Sequence, residues 1–267
     1  MRLRIGYHLV YDCPQPTPMI VMLNTHYSHV AEIVAGDVLV TDPPLAIKQY
    51  RDGFGNLCGR LVAPTGRLSL SSVALLDVPG EFETPAPNGY QHPVEELPDE
   101  CLVFLLGSRY CETDLLADIA WQVCGHAPPG RARVQAICDF VHGHISFGYH
   151  LARPTRTAWD GYRERVGVCR DYAHLAVALC RAVNIPARYC TGYISDVGTP
   201  LPWTTMDFAA WFEAYLGGTW QTFDARNNVP RIGRVLMALG RDAADVALTT
   251  TFGPNTLAKF EVYCAPE

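Results

Sequence analysis

The order of hydrophobic patterns along the chain constrains its fold more strongly than any single motif. Residues 1–80 hold strand-like runs, such as RLRIGYHLVY and LCGRLVAP, separated by Pro, Gly, Asn and Asp. Residues 81–98 contain several prolines and no periodic pattern, which indicates a linker. Residues 99–267 start with helical patterns and finish with strand-like runs. This order predicts a β-rich N-terminal domain followed by an α+β domain.

Four amphipathic segments make up the helical part of residues 99–267. They are TDLLADIAWQVCG, GRARVQAICDFVHGHI, RTAWDGYRERVG and CRDYAHLAVALCRAVNIP. The last predicts the strongest helix, because Tyr172, Ala176 and Leu179 fall on one stripe before Pro186 ends the pattern. Strand-like runs follow at ARYCTGYI, DFAAWFEAYL, TWQTFDA, ADVALTTTF and FEVYC. We expect these runs to form antiparallel strands.

Composition narrows the functional classes. Hydrophobic residues at 49% and charged residues at 18% are typical of a globular chain. The 21 basic and 27 acidic residues give a net charge of −6 without a basic run, which argues against nucleic acid or an anionic membrane as partner. No apolar stretch approaches the roughly 20 residues of a membrane span, and the start lacks a signal-peptide pattern. We predict a cytoplasmic protein with no cofactor and no metal, and leave its oligomeric state open.

One of the ten cysteines stands in a distinctive setting. No two of them form a Cys-x-x-Cys pair, and in a reducing compartment most are expected to be small core residues. Cys169 instead precedes the polar residues RDY at the first turn of the strongest predicted helix. The free N–H groups and positive dipole end of a helix favour the thiolate, which is the nucleophilic form. These residues alone leave two interpretations open, a nucleophile or a buried thiol.

The segment DFAAWFEAYLGGTWQTFDAR predicts a hairpin whose register can be worked out. A two-residue Gly-Gly turn places Leu216 opposite Thr219. With that register, Asp224 lies across from Trp211 and diagonally from position 209, within reach of a ring side chain there. A thiolate, an imidazole and an orienting carboxylate form the triad of amide chemistry. Position 209, however, is alanine.

These residues resemble a known family. GVCRDYAHLAVALCRAVNIPARYCTGY, followed by the hairpin, is similar to the transglutaminase-like superfamily, which has a papain-like cysteine fold. The resemblance implies that Cys169 is the nucleophile, at the start of a helix packed on an antiparallel sheet, and that Asp224 orients a histidine. The β-rich residues 1–80 resemble the N-terminal region of bacterial members, so we expect a β-sandwich-like domain there. The catalytic domain would then span residues 99–267.

The family's histidine does not carry over. Its strand usually reads Asp-Phe-His-Ala-Trp, whereas this chain has Ala209 in the histidine position. A bacterial branch has a small residue there and a histidine in Thr-Phe-Asp-Ala-Arg-His-Asn, which aligns with Asn227. Three interpretations remain open: an inactivated variant of a protein with histidine at 227, a natural member whose base comes from elsewhere, or a pseudo-enzyme that keeps the cleft for binding.

The resemblance implies attack by the Cys169 thiolate on a carboxamide or peptide carbonyl, through a thioester that water or an amine resolves. Hydrolysis is favoured over transamidation, because no donor-binding or calcium-binding motif is evident. The expected substrate is a peptide, a protein or a small amide. Asparagine cannot usefully accept a proton, so activity is expected to be impaired. The residues predicted to contact substrate are Trp159, Tyr193, Trp211 and Arg226.

Overall fold

The structure is a computed structural model that describes residues 1–200 and 206–267. Two antiparallel sheets form its N-terminal unit. The first runs β15-β1-β7-β3, with β4 also paired to β7, and contains β1 (Arg2–Cys13), β3 (Ile33–Gly36), β4 (Val40–Asp42), β7 (Gly66–Asp77) and β15 (Thr256–Pro266). The second runs β14-β2-β6-β5 and contains β2 (Thr17–Val21), β5 (Lys48–Arg51), β6 (Leu57–Ala63) and β14 (Thr249–Thr251).

The two sheets share one core. Leu3, Ile5 and Leu9 of β1 alternate along the strand and are buried in the same cluster as Met19 of β2 and Leu61 of β6. Alternation of this kind buries one face of an antiparallel strand. The predicted β-sandwich-like N-terminal region is therefore confirmed.

The end of the chain returns to the N-terminal unit. β15 pairs with β1 from Leu3↔Pro266 to Asp12↔Thr256, and β14 pairs with β2. These pairings satisfy backbone groups along one edge of each sheet. β14 and β15 lie beyond the boundary predicted at residue 99, yet they complete the sheets of β2 and β1. Local sequence patterns do not reveal such pairing between distant segments.

The second half of the chain is built on a central antiparallel sheet. Its order is β12-β11-β10-β13, from β10 (Ala187–Ile194), β11 (Ala209–Leu216), β12 (Thr219–Phe223) and β13 (Arg234–Gly240). Helix α5 (Cys169–Ala182) packs on this sheet, and Leu179 shares a core with Phe212 and Phe223. The other α-helices are α1 (Asp99–Leu102), α2 (Thr113–Cys124), α3 (Arg131–His144) and α4 (Ala158–Glu164), of which the last three pack around α5. The predicted α+β class is confirmed.

Short elements connect these layers. β8 (Ser146–Phe147) and β9 (Val166–Gly167) form a parallel pair just before α5. The 3-10 helices are Tyr27–Glu32, Val94–Glu96, Val103–Leu105 and Tyr149–Leu151. The central sheet also touches the sandwich, because Tyr193, Phe208 and Val235 lie in the sandwich core. The two units therefore pack directly on each other.

Some elements differ from the sequence predictions. β13 was not predicted, because nearly all of RVLMALG is buried and the run therefore lacks the alternation typical of a half-exposed strand. The run HVAEIVAGDVLV begins as a 3-10 helix and continues as the short strands β3 and β4. In ADVALTTTF only Thr249–Thr251 are a strand, because Asp242 to Val246 form a turn.

The proline-rich residues 81–98 contact the second half of the chain at several points. Glu83 forms an ion pair with Arg234, with 2.5 Å between Oε1 and Nε. Gln91 donates from Nε2 to the Val183 carbonyl at 3.0 Å, and Tyr90 accepts from the Gly217 N–H at 2.8 Å. Residues 81–98 therefore lie along the second half of the chain.

None of the helices in the described residues combines the length and the apolar character that crossing a membrane requires.

Candidate active site

Cys169 differs from the other cysteines in its exposure. All ten lie in the described residues as free thiols, and Cys169 alone is partly exposed while the others are buried. It is the first residue of α5. Its side chain lines two adjoining cavities, of about 70 Å³ and about 390 Å³. Among the cysteines of the described residues, Cys169 is therefore the accessible thiol.

The start of α5 is fixed by a buried carboxylate. Asp171, in the first turn, accepts a 2.8 Å hydrogen bond at Oδ2 from the backbone N–H of Val168. This is the reciprocal arm of a helix capping box. Asp171 is 1% exposed and pairs with Arg156, whose Nη1 lies 3.2 Å from Oδ2. Because the charge is buried and paired, Cys169 is held in a defined place at the helix terminus.

The surroundings of the thiol oppose its ionisation. Burial, and next the negative charge of Asp207, raise the pKa of Cys169 to about 11, despite partial offset by the Ala210 N–H and the Arg226 charge. Such a thiol is ionised to only about one part in ten thousand at pH 7. The expected lowering of the pKa by the helix terminus is therefore outweighed. Cys169 requires a base to become a nucleophile at neutral pH.

The hairpin has the predicted register. Leu216 pairs with Thr219 and Phe212 with Phe223, across the Gly217-Gly218 turn. Ala209 opens β11 and lines the smaller cavity together with Cys169. The small side chain at 209 leaves space in this cavity beside the Cys169 thiol.

The chain turns sharply after β12, and this turn brings Asn227 to the small cavity beside Ala209. Asp224 directly follows the strand, and its Oδ1 accepts the backbone N–H of Asn227 at 2.9 Å. The Asn227 amide then donates from Nδ2 to Asp224 Oδ2 at 2.7 Å. Asn227 lines the same small cavity as Cys169 and Ala209. Asp224 is 8% exposed and stands behind Asn227.

The other end of the Asn227 side chain is also occupied. Its Oδ1 accepts hydrogen bonds from Arg226 Nη1 at 2.5 Å and from Arg231 Nη1 at 2.9 Å. Only this amide orientation fits, because a carboxylate can only accept and a guanidinium can only donate. The Asn227 side chain is thus engaged at both ends.

Arg234 is a part of the site that the sequence did not indicate. It is the first residue of β13, and its Nη2 lies 3.2 Å from Asp224 Oδ2. The guanidinium also lies over the Trp211 ring at 4.7 Å and pairs with Glu83. A buried cation this close to Asp224 holds the carboxylate in one orientation. Arg234 could have been assigned to the site from the sequence if β13 had been recognised as a strand that pairs with β10.

Of the residues predicted to contact substrate, one lines the small cavity and the others pack elsewhere. Arg226 lines the small cavity, and its guanidinium lies 4.4 Å from the centre of the Phe147 ring. Tyr193 and Trp211 are each only 2% exposed, so they pack in the interior instead of forming a cleft wall. Trp159 stacks on Tyr162 against the helical core. The aromatic residues that do line the small cavity are Phe147 in β8, Tyr149 in the following 3-10 helix and Phe208 just before β11.

Two of the histidines near these elements have structural partners. His174 is completely buried on α5, stacks on Tyr110, and accepts the Ala243 N–H at Nε2 over 3.1 Å. His142 on α3 donates from Nδ1 to the carbonyl of Arg226 at 3.0 Å. Among the residues that line the two cavities at Cys169, all within the described ranges, there is no histidine.

Comparison with known proteins places this geometry in a family. The model of the transglutaminase-like superfamily matches residues 117–225, a span that contains Cys169 and Asp224. A solved structure from Cytophaga hutchinsonii, of a protein described as a candidate cysteine protease, is 33% identical, with a TM-score of 0.86 over 99% of this chain and 90% of that one. The chain belongs to the transglutaminase-like superfamily.

Two further matches are more partial. An uncharacterized protein from Mycobacterium leprae is 34% identical over 91 residues, which are 33% of this chain and 32% of that protein. The chain thus matches about a third of the length of this curated relative. The periplasmic domain of TgpA from Pseudomonas aeruginosa is 20% identical, with a TM-score of 0.40 over 82% of this chain and 75% of that domain.

Proposed function

We propose that this superfamily member supports cysteine-dependent amide chemistry, with Cys169 as nucleophile, Asp224 as orienting group and position 227 as the site of the base. One observation carries the proposal. Asn227 lines the cavity that contains the Cys169 thiol and donates its side-chain amide to Asp224. A side chain between a nucleophile and a carboxylate occupies the place of the imidazole in a catalytic triad.

The mechanism follows from replacing that amide by an imidazole. One ring N–H would donate to Asp224, as Nδ2 of Asn227 does, and the other nitrogen would accept the Cys169 proton. The thiolate attacks a carbonyl carbon, and the imidazolium then protonates the departing amine as the C–N bond breaks. Water or an amine next attacks the thioester, and its proton passes to the imidazole. Backbone N–H groups at the start of α5 are the expected oxyanion donors.

In the present chain this cycle is impaired. Asn227 cannot accept a proton usefully, and Ala209 supplies no base. The pKa of Cys169, raised to about 11 by burial and by Asp207, leaves the thiol neutral at pH 7. Proton removal from the thiol is therefore the step that we expect to limit the reaction.

Hydrolysis of a peptide or carboxamide is the favoured outcome. The description of the Cytophaga hutchinsonii protein as a candidate cysteine protease supports a peptide or protein substrate. The cavities at Cys169 are open, which supports access of water to a thioester. A cytoplasmic location remains a prediction, and the ten free thiols support a reducing compartment.

A catalytically silent binding protein is the second candidate. Two features favour it: the Asn227 side chain is engaged at both ends, and burial raises the pKa of the Cys169 thiol to about 11. In this case the cleft would bind a peptide or amide without forming a thioester.

Alkylation by iodoacetamide separates the two candidates, because the reagent reports the thiolate alone. Rates are measured from pH 6 to 10 for the unmodified chain, for Asn227→His, and for Cys169→Ala as the background. If position 227 carries the base, Asn227→His should increase the rate at pH 7 by at least about tenfold and produce a plateau below pH 8. Equal alkylation rates for the unmodified chain and for Asn227→His would favour the second candidate, the catalytically silent binding protein.

A further inference from the structure

The larger cavity at Cys169 has aromatic walls. It measures about 390 Å³ and lies between the central sheet and the N-terminal sandwich. Tyr110, Tyr189, Phe208 and Phe260 line it. The Phe208 and Phe260 rings meet edge to face at 5.8 Å, so a ring of β15 closes one side. Faces of such rings attract cations.

Asp207 stands where the larger and the smaller cavity meet. It lines both of them, as Cys169 does. It is half-buried, and the backbone N–H of Phe208 is its hydrogen-bond donor. Throughout residues 1–200 and 206–267, no cationic side chain lies within ion-pair distance of it. A half-buried carboxylate without a cation is costly, which points to a positive group supplied from outside the chain.

The two arginines that line these cavities nearest Cys169, Arg170 and Arg226, interact with groups other than Asp207. Arg170, in the same cavity, donates to the carbonyls of Arg153 and Pro154 and lies 3.6 Å from Asp171. Arg226, in the smaller cavity, donates to Asn227 and stacks on Phe147. Neither guanidinium therefore neutralises Asp207.

We propose that the carboxylate of Asp207 binds a primary ammonium group of the substrate, in the aromatic cavity beside the Cys169 sulfur. The inference rests on the proposed function, since it takes this cleft as the place where substrate binds. Asp207 and Cys169 line the same two cavities. An ammonium group bound to the carboxylate would therefore lie close to the substrate bond that the sulfur attacks.

A bound ammonium would also affect the nucleophile. The negative charge of Asp207 is one reason why the pKa of Cys169 is raised. A cation at Asp207 offsets that charge and so favours the thiolate. Substrates with an ammonium would then ionise the thiol that attacks them, whereas neutral substrates would not.

Thiol reagents of different charge test whether Asp207 attracts a cation to Cys169, and they need no acyl transfer. Cys169 is treated with cationic 2-aminoethyl, neutral methyl and anionic 2-sulfonatoethyl methanethiosulfonate. The parent chain is compared with Asp207→Asn and with Asp118→Asn, which removes an exposed carboxylate on α2. We expect the cationic-to-neutral rate ratio, relative to a free thiol, to be about threefold to tenfold in the parent and in Asp118→Asn. It should return to the free-thiol ratio in Asp207→Asn.

Salt dependence gives a second measurement on the unmodified chain, so the test does not depend on a variant that folds. The cationic preference should shrink as ionic strength rises. A preference that is equal in the parent and in Asp207→Asn, or absent from the parent, would overturn the inference while leaving the proposed function in place. Failure of Asn227→His to alkylate faster, with the preference intact, would overturn the proposed function alone.

Protection experiments identify the source of the ammonium. Nα-acetyl-lysine methylamide carries a side-chain ammonium, alanine methylamide an α-ammonium, and acetyl-alanine methylamide neither. One of the two cations should slow alkylation of Cys169 by iodoacetamide, and Asp207→Asn should weaken that protection severalfold. Equal protection by all three compounds would contradict the proposal.

Discussion

The side-chain amide of Asn227 donates a 2.7 Å hydrogen bond to Asp224, and the backbone N–H of the same residue donates a second one at 2.9 Å. This pair of bonds fixes the turn after β12 and directs position 227 towards the cavity of Cys169. Asn227 therefore lines the same small cavity as Cys169 and is hydrogen-bonded to Asp224, as the proposed triad requires of the residue at position 227. The side chain at position 227, however, is an amide.

Arg234 should be essential for the stability of this turn. Arg234→Met leaves the buried Asp224 carboxylate without the cation that now lies 3.2 Å away. Removing one partner of a buried ion pair typically costs about 3–5 kcal/mol of unfolding free energy. Urea unfolding monitored by tryptophan fluorescence should show a loss of this order.

The control for Arg234→Met is Arg67→Met, which removes an ion pair with Asp12 on the exposed surface. Its unfolding midpoint should stay close to that of the parent, since exposed pairs contribute little. Equal losses in the two variants would show that Arg234 has no special relation to Asp224.

Gly192 should tolerate no side chain. A Cβ at this position of β10 would lie 2.0 Å from the Val235 carbonyl oxygen in β13. Gly192→Ala should therefore displace β13, with a loss of at least about 2 kcal/mol in unfolding free energy. Gly143→Ala is the matched control, because a Cβ there meets nothing within 4 Å on α3 and should stabilise by about 0.5–1 kcal/mol. Urea titrations of both variants check the opposite signs.

Stability should decline in mild acid because two histidines are buried. Burial lowers the pKa of His174 well below its usual range and that of His26 to about 4. The unfolded chain binds protons at a pKa near 6.5, so their contribution is complete above that pH and is lost as the pH falls towards the folded values. Each adds a slope of up to about 1.4 kcal/mol per pH unit below pH 6.5.

Urea unfolding between pH 7.5 and 5 measures this slope, and the pH range stays above the titration of most carboxylates. His174→Gln keeps a side-chain acceptor near the Ala243 N–H and should reduce the slope by about one proton. A slope that is unchanged in this variant would mean that His174 is accessible to protons in the folded state.

The sequence was most informative where local chemistry determines geometry. The Gly217-Gly218 turn gave the correct pairing of β11 with β12, and the setting of Cys169 distinguished it from nine core cysteines. Both features depend on neighbouring residues alone. A helix start and a two-residue hairpin leave few alternatives.

Long-range packing limited the rest. Tyr193 was predicted to contact substrate but lies in the sandwich core, because the N-terminal unit covers that face of the central sheet. Trp211 is buried beneath Arg234, a partner from a strand without an alternating pattern. A hairpin assigns side chains to two faces, but it does not show which layer covers each face.

The most direct test of position 227 is acylation of Cys169 in Asn227→His and in Ala209→His. Each variant, and the parent, is mixed with an activated peptide ester at pH 7, and the acyl-enzyme is counted by intact mass within the first turnover. We expect Asn227→His to accumulate a thioester at Cys169 at least about a hundredfold faster than the parent, with Ala209→His near the parent rate. Acylation restored by Ala209→His but not by Asn227→His would contradict the account.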